Sequence, residues 1–143
     1  MAQSLPWSIQ DGPIKKDQNF SVDFKVSDFT NITAYQFAIL FNPLNVEFVG
    51  ISFPQDNPLQ LSADDFGLWQ LAKGNVRHVW SNPFGSTLEG TQHLFTYTFK
   101  AKKDSTISTE LKLGKFGLNP PLYPVAYKFP LAGIPLTLSY TKA

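Results

Sequence analysis

The sequence contains no cysteine, and this absence excludes several kinds of site at once. A disulfide scaffold, a thiolate metal site and a cysteine nucleophile all require the thiol group. The compartment stays open, because a bacterial secreted module and a cytosolic protein fit the absence equally. A charge excess of one sign is also lacking, since Lys+Arg 12 against Asp+Glu 11 leave a formal net charge of +1. No long-range field therefore draws the chain toward nucleic acid or an anionic membrane.

Long hydrophobic runs are missing as well. The start "MAQSLPWS" has neither a basic n-region nor an apolar h-region, and no later stretch approaches ~20 apolar residues. The sequence therefore predicts neither a signal peptide nor a membrane span, as expected for a cytosolic protein or a piece excised from a longer exported chain. At 143 residues, the chain has room for one domain, 1–143, with a substantial core.

Aromatic residues, by contrast, are abundant, and they are distributed in a two-residue period. Phe 13, Tyr 5 and Trp 3 make up 15% of the chain, a composition that favours pleated sheet. The runs "NFSVDFKV", "AYQFAILF" and "HLFTYTFKA" alternate cleanly, and no helical apolar period persists for three turns. About nine such strands, each with one apolar face, are best buried as two packed sheets. The predicted fold is an all-β sandwich.

Several turns and weaker elements complete this interpretation. Asn42-Pro43 separates two alternating runs, because proline lacks the N–H that a strand ladder needs. "Lys-Gly-Asn" at residues 73–75 indicates a hairpin turn before a strand at 76–81. "NVEFVGIS" is predicted to be anchored by Val46, Phe48 and Val49. "STISTELKLG" is predicted to be a strand with Ser108, Glu110 and Lys112 on its outward side. The proline-rich residues 117–135 are predicted to form a fixed, extended loop.

Catalytic candidates are few, and the sequence predicts no enzyme and no cofactor. No Gly-x-Ser-x-Gly, His-Glu-x-x-His or Gly-rich phosphate loop is present. His78 shares parity with Val76 and Trp80, which indicates a core histidine with a satisfied ring. His93 is interpreted as a solvated turn residue. A glycosidase pair would have to come from Asp64, Asp65 and Glu89, and the sequence does not bring any two of them to one cleft.

Two further constellations keep alternative interpretations open. "SADD" at 62–65 predicts a capped helical turn, with Ser62 and Asp65 as a capping box, although Asp64 and Asp65 are also a weak calcium candidate. Carbohydrate binding is the main alternative to a protein partner. It needs exposed planar aromatics that stack on sugar rings, and the candidates are Trp7, Trp69, Tyr123 and Tyr127. Tyr123 and Tyr127 are equally explained as residues that pin the proline-rich loop against the sheet.

The stretch "YQFAILFNPLNVEFVGI" resembles the cohesin domain of bacterial extracellular proteins. In that family a Gly-Phe-Gln-Phe-like strand is followed by Tyr-Asp-Pro and a Leu-Glu-Phe-Val-like strand, and Asn42-Pro43 stands here for Asp-Pro. "GNVRHVWSNP", "LFTYTFKAK" and "AGIPLTLSY" are similar to three further cohesin strands, so the resemblance spans residues 7–140. "DDFGLWQLAKGNVRHVWSNPFGSTL" resembles the variant found in exported Bacteroidetes proteins.

The resemblance implies a nine-stranded jelly-roll sandwich that works as a non-catalytic module of a secreted or surface protein. Its location would be extracellular or at the cell surface, and it would attach to a protein or act as a rigid spacer. Cohesins capture a dockerin, a small calcium-loaded helical module, on the flat outer face of strands eight, three, six and five. Where cellulosomal cohesins carry Asn and an acidic residue on the third strand, this sequence has Ala34 and Gln36.

Carried over residue by residue, the family's face falls on four segments of this sequence, with Trp69 or its neighbours on the fifth strand. The remaining predicted face residues are Gln36, Ala38, Leu40, Arg77, Val79, Ser81, Ser108, Glu110 and Lys112. The predicted surface has a neutral centre at Ala38, Leu40 and Val79 and a polar rim, the layout of many protein interfaces.

Overall fold

The fold was analysed in a computed structural model that describes residues 4–114, 123–129 and 133–142. The described residues form twelve strands, two short 3-10 turns (Ala63–Asp65 and Leu71–Lys73) and one helical turn, α1 (Ile107–Glu110). The strands are β1 (Leu5–Gln10), β2 (Pro13–Ile14), β3 (Asn19–Val26), β4 (Ile32–Leu40), β5 (Val46–Ser52), β6 (Phe66–Gly67), β7 (Asn75–Ser86), β8 (Gln92–Ala101), β9 (Ser105–Thr106), β10 (Lys112–Gly114), β11 (Val125–Lys128) and β12 (Gly133–Thr141). Three of them, β2, β6 and β9, have two residues each, and the nine longer strands include β3, β4 and β8, which the clear alternation predicted.

Ten of the strands form two packed sheets that are continuous through β12, while β2 and β9 pair with each other in a separate ribbon. The first sheet has the order β5-β8-β3-β1-β12, and the second runs β11-β4-β7-β6. β12 pairs with β1 in parallel through its second half, whereas its first three residues pair with β11. β10 and β11 share one edge of β4, because β7 occupies the other. The predicted jelly-roll sandwich is confirmed.

The core lies between the two sheets and is largely aromatic. The inward positions of β3, β4 and β8 alternate as predicted, and the fully buried rings include Phe24, Tyr35, Phe37, Phe95, Tyr97 and Phe99. Trp7 lies among them, with its ring centroid 5.2 Å from that of Tyr35 and 5.1 Å from that of Phe37. Each buried aromatic side chain of this kind stabilises the fold by roughly 2–3 kcal/mol.

Trp7 was predicted as a sugar-stacking candidate, and the structure contradicts this. Its side chain is only 1% exposed, because Leu5, Trp7 and Ile9 alternate inward along β1. The same period-2 pattern that identified the other strands was present here. It was weakened by the shortness of the run and by Pro6.

The turn at Asn42-Pro43 separates the two strands, as predicted, and it connects the two sheets. β4 belongs to the second sheet and β5 pairs with β8 in the first. The turn is fixed by three hydrogen bonds to Asn42, whose carbonyl accepts from the N–H of Asn45 and Val46 and whose side chain accepts from the N–H of Leu44. The predicted turn at residues 73–75 is also present, with Gly74 in the left-handed conformation at φ 73°.

The strand predicted in "STISTELKLG" is present only at its ends, Ser105–Thr106 and Lys112–Gly114, and is wrong between them. Residues Ile107–Glu110 form the helical turn α1, whose N-cap Thr106 accepts a hydrogen bond from the N–H of Thr109. Only Lys112–Gly114 continues as a strand. Apolar residues at 107 and 111 fit a helical spacing as well as an alternating one, so the period alone did not separate the two structures.

Two smaller predictions also need correction. Val49 does not anchor β5, because the register shifts between Phe48 and Gly50 and turns its side chain outward. Residues 117–135 do not form only a loop, since Val125–Lys128 is β11 and Gly133 begins β12. The rest of that loop prediction falls mostly on residues 117–122 and 130–132, which lie outside the described residues.

Candidate interaction face

The outward side of the second sheet forms a surface from five strands, and residues paired directly across neighbouring strands point to the same side. Ala38 pairs with Arg77, which pairs on its other side with Gly67, and Leu40 pairs with Lys112. We call this surface the outer face. Its members are Ala34, Gln36, Ala38, Leu40, Gly67, Arg77, Val79, Ser81, Lys112, Gly114, Val125 and Tyr127.

Exposure divides the predicted face residues into available and covered ones. Val79, Ser81 and Lys112 are exposed, whereas Gln36 and Leu40 are half-buried. Ala38, predicted at the neutral centre, is fully buried, so it cannot contact a partner directly. The Leu40 side chain covers Gly114, which pairs with Ala38, because a Cβ placed on Gly114 would lie 2.1 Å from Leu40 Cδ1.

Trp69 and Arg77 form a stacked pair at the edge of the face. The Arg77 guanidinium carbon lies 5.0 Å from the centroid of the Trp69 ring, and Arg77 itself is only 8% exposed. Burial lowers the pKa of Arg77 from its ordinary value. The ring fits here because residue 67 is glycine, where a Cβ would stand 3.3 Å from Trp69 Nε1. A shallow groove lined by Asp64, Trp69, Val79 and Ser81 runs beside the pair.

Two predicted face residues, Ser108 and Glu110, do not belong to the outer face. Both lie in α1, where they serve internal contacts. The Ser108 N–H and hydroxyl both donate to the Asp11 carboxylate, and these bonds lower the pKa of Asp11. Glu110 is buried and accepts hydrogen bonds from Asn45 Nδ2 and Ser105 Oγ. Their role is therefore structural, since they join α1 to β1, to the turn after β4 and to β9.

Gln36 lies on the outer face between Val79 and Val125, its partners in the neighbouring strands. Its amide Nε2 donates to the carbonyl oxygen of Tyr123 across 3.2 Å. This bond ties the chain entering β11 to the centre of β4. Tyr123, which was predicted to pin the proline-rich loop, is itself half-exposed, and so is Tyr127.

The two outer sides of the sandwich differ in chemistry. The first sheet presents mostly short polar side chains, such as Ser21 and Thr98, whose hydroxyl oxygens are 3.1 Å apart. Among the described residues it carries one exposed large apolar side chain, Val49. The second sheet and the segments that flank it carry Leu68, Trp69, Val79, Phe84, Tyr123, Tyr127 and Phe129. Most of the exposed large apolar side chains of the described residues therefore belong to the second sheet and its flanking segments.

Phe84 is an exposed residue that the sequence analysis missed. It is 95% exposed at the tip of a bulge in β7, where the register moves from the Ala34–Ser81 pair to the Ile32–Ser86 pair. The bulge is ordered by a bond from the Phe84 N–H to Asn82 Oδ1. The available signal was the "Asn-Pro-Phe-Gly" turn composition inside an otherwise strand-like run.

The two histidines lie in different strands, His78 in β7 and His93 in β8. His78 is fully buried, with Nε2 accepting from the Tyr35 hydroxyl at 2.7 Å and Nδ1 donating to the Asp65 carbonyl at 3.0 Å. The predicted core histidine is therefore confirmed. His93 lies within β8 rather than in a turn, with Nε2 2.8 Å from Thr96 Oγ1.

The acidic turn at 62–65 has the predicted capping box. The Asp65 carboxylate accepts from the Ser62 N–H at 2.8 Å, and Ser62 Oγ accepts from the Asp64 N–H. One oxygen of the weak calcium candidate is thus engaged in the cap. Across the described residues, no group of three or more His, Cys, Asp or Glu side chains is placed to hold a metal ion.

The remaining sugar-stacking candidates are exposed but do not form one platform. The Trp69 ring lies beside Gly67 in β6, and Tyr127 lies in β11. These strands are three spacings apart across the sheet, which is roughly 14 Å.

Comparison with known proteins identifies the fold. No family model and no curated protein sequence matches the chain. Solved structures of cohesins do match it. A cohesin from a type I cohesin–dockerin complex of Clostridium thermocellum has 10% identity and a TM-score of 0.66, with 100% of this chain and 97% of that one covered.

Two cohesins from other settings are similar to the same degree. A non-cellulosomal cohesin of the archaeon Archaeoglobus fulgidus gives a TM-score of 0.63 at 11% identity, covering 95% of this chain and 86% of that one. The cohesin module of a family 33 glycoside hydrolase from Clostridium perfringens gives 0.62 at 11% identity, covering 98% of each chain. The chain therefore has the cohesin fold over its whole length, as the resemblance in its sequence predicted.

Proposed function

We propose that this chain is a non-catalytic attachment module that captures a protein partner on the outer face. The observation that carries the proposal is the difference between the two sides of the sandwich. One side is polar and rich in serine and threonine, whereas the strands of the second sheet and the segments that flank them carry most of the exposed large apolar side chains of the described residues. An apolar centre with aromatic and arginine residues is typical of binding hot spots.

A dockerin-like helical module is the partner that the fold favours. Several similar structures are described as cohesins in complex with dockerins, one of them the Clostridium thermocellum cohesin. Ala34 and Gln36 stand where cellulosomal cohesins carry Asn and an acidic residue, so we expect a partner whose contacts at this position are not basic. The module would then belong to a longer exported bacterial protein and act outside the cell or at its surface. None of the helical segments in the described ranges is long and apolar enough to cross a membrane.

Val79 and Trp69 are the residues whose replacement tests the face most clearly. The double variant Trp69→Ala/Val79→Asp should weaken capture at least about 30-fold, because it removes an aromatic anchor and places a charge at an apolar centre. Affinities would be measured with a panel of purified, calcium-loaded dockerin modules and with partners recovered from the secretome of the source organism. Both side chains are largely exposed, so the melting temperature should barely change.

The matched control is Val49→Asp, since Val49 is about as exposed as Val79 but lies on the first sheet. It should leave capture unchanged. Equal loss in the control, or full capture by the double variant, would contradict the proposed face. If oligosaccharides bind and proteins do not, the module is a carbohydrate-binding one; if neither binds, it is a spacer.

A further inference from the structure

The turn that follows β4 carries an exposed leucine surrounded by lysines. Leu44 is 81% exposed at residues 42–45, where the chain passes from one sheet to the other. Four lysines from three separate segments lie around it. They are Lys73, Lys102, Lys103 and Lys112, and we call them together with Leu44 the lysine turn.

Contacts on each side hold the lysine turn in place. Lys102 donates from its N–H to the Asn45 carbonyl and from Nζ to the Pro43 carbonyl, both at 2.8 Å. On the other side, the Phe41 N–H donates to the Gly74 carbonyl at 2.9 Å, which places Lys73 beside the turn. Lys103 and Lys112 line a shallow groove together with Asn42 and Asn45. Leu44 therefore projects from a fixed loop, and a partner that binds it does not have to order the loop backbone.

The positive charge of the lysine turn is not neutralised within the described part of the chain. None of its four ammonium groups lies within 4.0 Å of a carboxylate there. Asp11 interacts with Lys112 at longer range, and its carboxylate is bonded to Ser108. Glu110 lines the same groove as Lys103 and Lys112, but it is buried and bonded to Asn45 and Ser105. Glu47 faces Lys100 across the β5–β8 pair. Lys112 Nζ donates instead to the Ser108 carbonyl and lies 5.7 Å from the centroid of the Tyr140 ring. Lysines without a carboxylate partner, beside an exposed apolar side chain, favour a partner of opposite charge.

We infer that the lysine turn extends the outer face and docks an acidic end of the partner protein, with Leu44 entering an apolar pocket between the acids. This inference rests on the proposed function, and it adds the orientation of the partner. The lysine turn is continuous with the face because Lys112 pairs directly with Leu40 at the end of β4. The opposite end of the face carries Phe84 and Tyr127 and is aromatic. A partner with one acidic and one apolar end fits this face in one direction only.

A protein partner is favoured over an anionic membrane by the geometry of the two ends. The lysines flank an edge that continues into a sheet face with several exposed apolar side chains, and such a face is covered by a second folded surface. A single leucine would bury too little apolar area to hold the module on lipid. Binding to phosphatidylglycerol vesicles tests whether an anionic membrane contacts the lysine turn instead.

The test uses two synthetic helical peptides as probes of the isotopically labelled protein. Both carry one stripe of leucines, and their remaining positions are glutamate in one and lysine in the other. The glutamate peptide should shift the amide resonances of Leu44, Lys103 and Lys112, and the lysine peptide should not. The affinity for the glutamate peptide should fall about tenfold in the double variant Lys103→Glu/Lys112→Glu, and added salt should lower it further.

Lys25→Glu is the matched control, because Lys25 is an exposed lysine on the first sheet. It should leave the affinity for the glutamate peptide unchanged. Equal binding of both peptides, insensitivity to the double charge reversal, or binding to the vesicles through Leu44 would overturn the inference.

The outcome is separable from that of the proposed function. If Trp69→Ala/Val79→Asp abolishes capture of a dockerin while Lys103→Glu/Lys112→Glu leaves capture unchanged, the outer face is supported and the inferred orientation of the partner is wrong. If the glutamate peptide binds the lysine turn but no protein binds the face, the proposed function falls alone.

Discussion

Replacing Gly74 with alanine should lower the free energy of unfolding by about 4 kcal/mol, at the upper end for a single substitution. Gly74 has a φ of 73°, which disfavours any residue with a Cβ. An added Cβ would also stand 1.8 Å from the carbonyl oxygen of Phe41 and 3.1 Å from Pro43 Cδ. Backbone atoms cannot rotate away, so the hydrogen bond from the Phe41 N–H to Gly74 must lengthen or break. Chemical denaturation of the two proteins measures the difference.

Gly90→Ala is the control that separates conformation from contact. Gly90 also has a positive φ, 64°, but a Cβ there would meet no atom within 4 Å. This variant should lose only about 1 kcal/mol, the usual cost of the left-handed conformation. Similar losses at both positions would show that residues 73–75 do not approach the turn after β4 as closely as described.

Acidification should destabilise the protein through His78. Burial in an aromatic environment lowers the pKa of His78 from 6.5 to about 3, with the hydrogen bond to the Asp65 carbonyl opposing the shift in part. The unfolded chain therefore binds the proton first as the pH falls. The neutral His78 ring therefore contributes its full stabilisation above the unfolded pKa of about 6.5. Between this pH and the folded pKa of about 3, the free energy of unfolding falls by about 1.4 kcal/mol for each pH unit. Denaturant titrations at a series of pH values measure this slope.

Two variants make the assignment to His78 specific. His78→Gln should lower stability at neutral pH but flatten the dependence between about pH 6.5 and 4.5, because the glutamine side chain does not titrate. His93→Gln removes the other, half-exposed histidine and should keep the slope. A steep dependence that survives in His78→Gln would assign the effect to other groups.

The sequence predicted the sandwich because its strands follow a two-residue period. In β3, β4 and β8 the inward positions are aromatic or branched, so burial alone decides which side faces the core. His78 was placed in the core by the same parity, and the structure adds the two partners that satisfy its ring. The capping box at Ser62 was readable because both of its bonds join residues three or fewer apart.

The candidate site was less predictable, because its features depend on contacts between distant segments. Glu110 was assigned to the face by alternation, but its two partners turn it inward. Ser108 is bonded to Asp11, which lies 97 residues earlier in the chain. Ala38 has the predicted outward parity and is still buried under its neighbours on the face. Parity gives the side of a sheet, whereas exposure depends on what covers that side.

Leu44 and Phe84 are the opposite case, because they are large apolar residues that the sequence did not predict to be exposed. Both are large apolar residues in turns, and composition alone does not indicate whether such a residue folds inward or projects. Leu44 projects because the turn bonds to Asn42 and Lys102 fix its backbone away from the core. Phe84 projects because β7 gains extra residues opposite Thr33.

The central claim is that the outer face captures a protein, and the footprint of a bound module tests it most directly. Amide resonances of the labelled protein would be followed during titration with the tightest-binding calcium-loaded dockerin of the panel. Trp69 gives an added signal, since Trp7 and Trp80 are buried. The account predicts shifts in β4, β7 and β10 and at the Trp69 indole, with Ser21, Thr98 and Val49 unchanged. Shifts confined to the serine- and threonine-rich side, or no binding by any dockerin or captured protein, would contradict it.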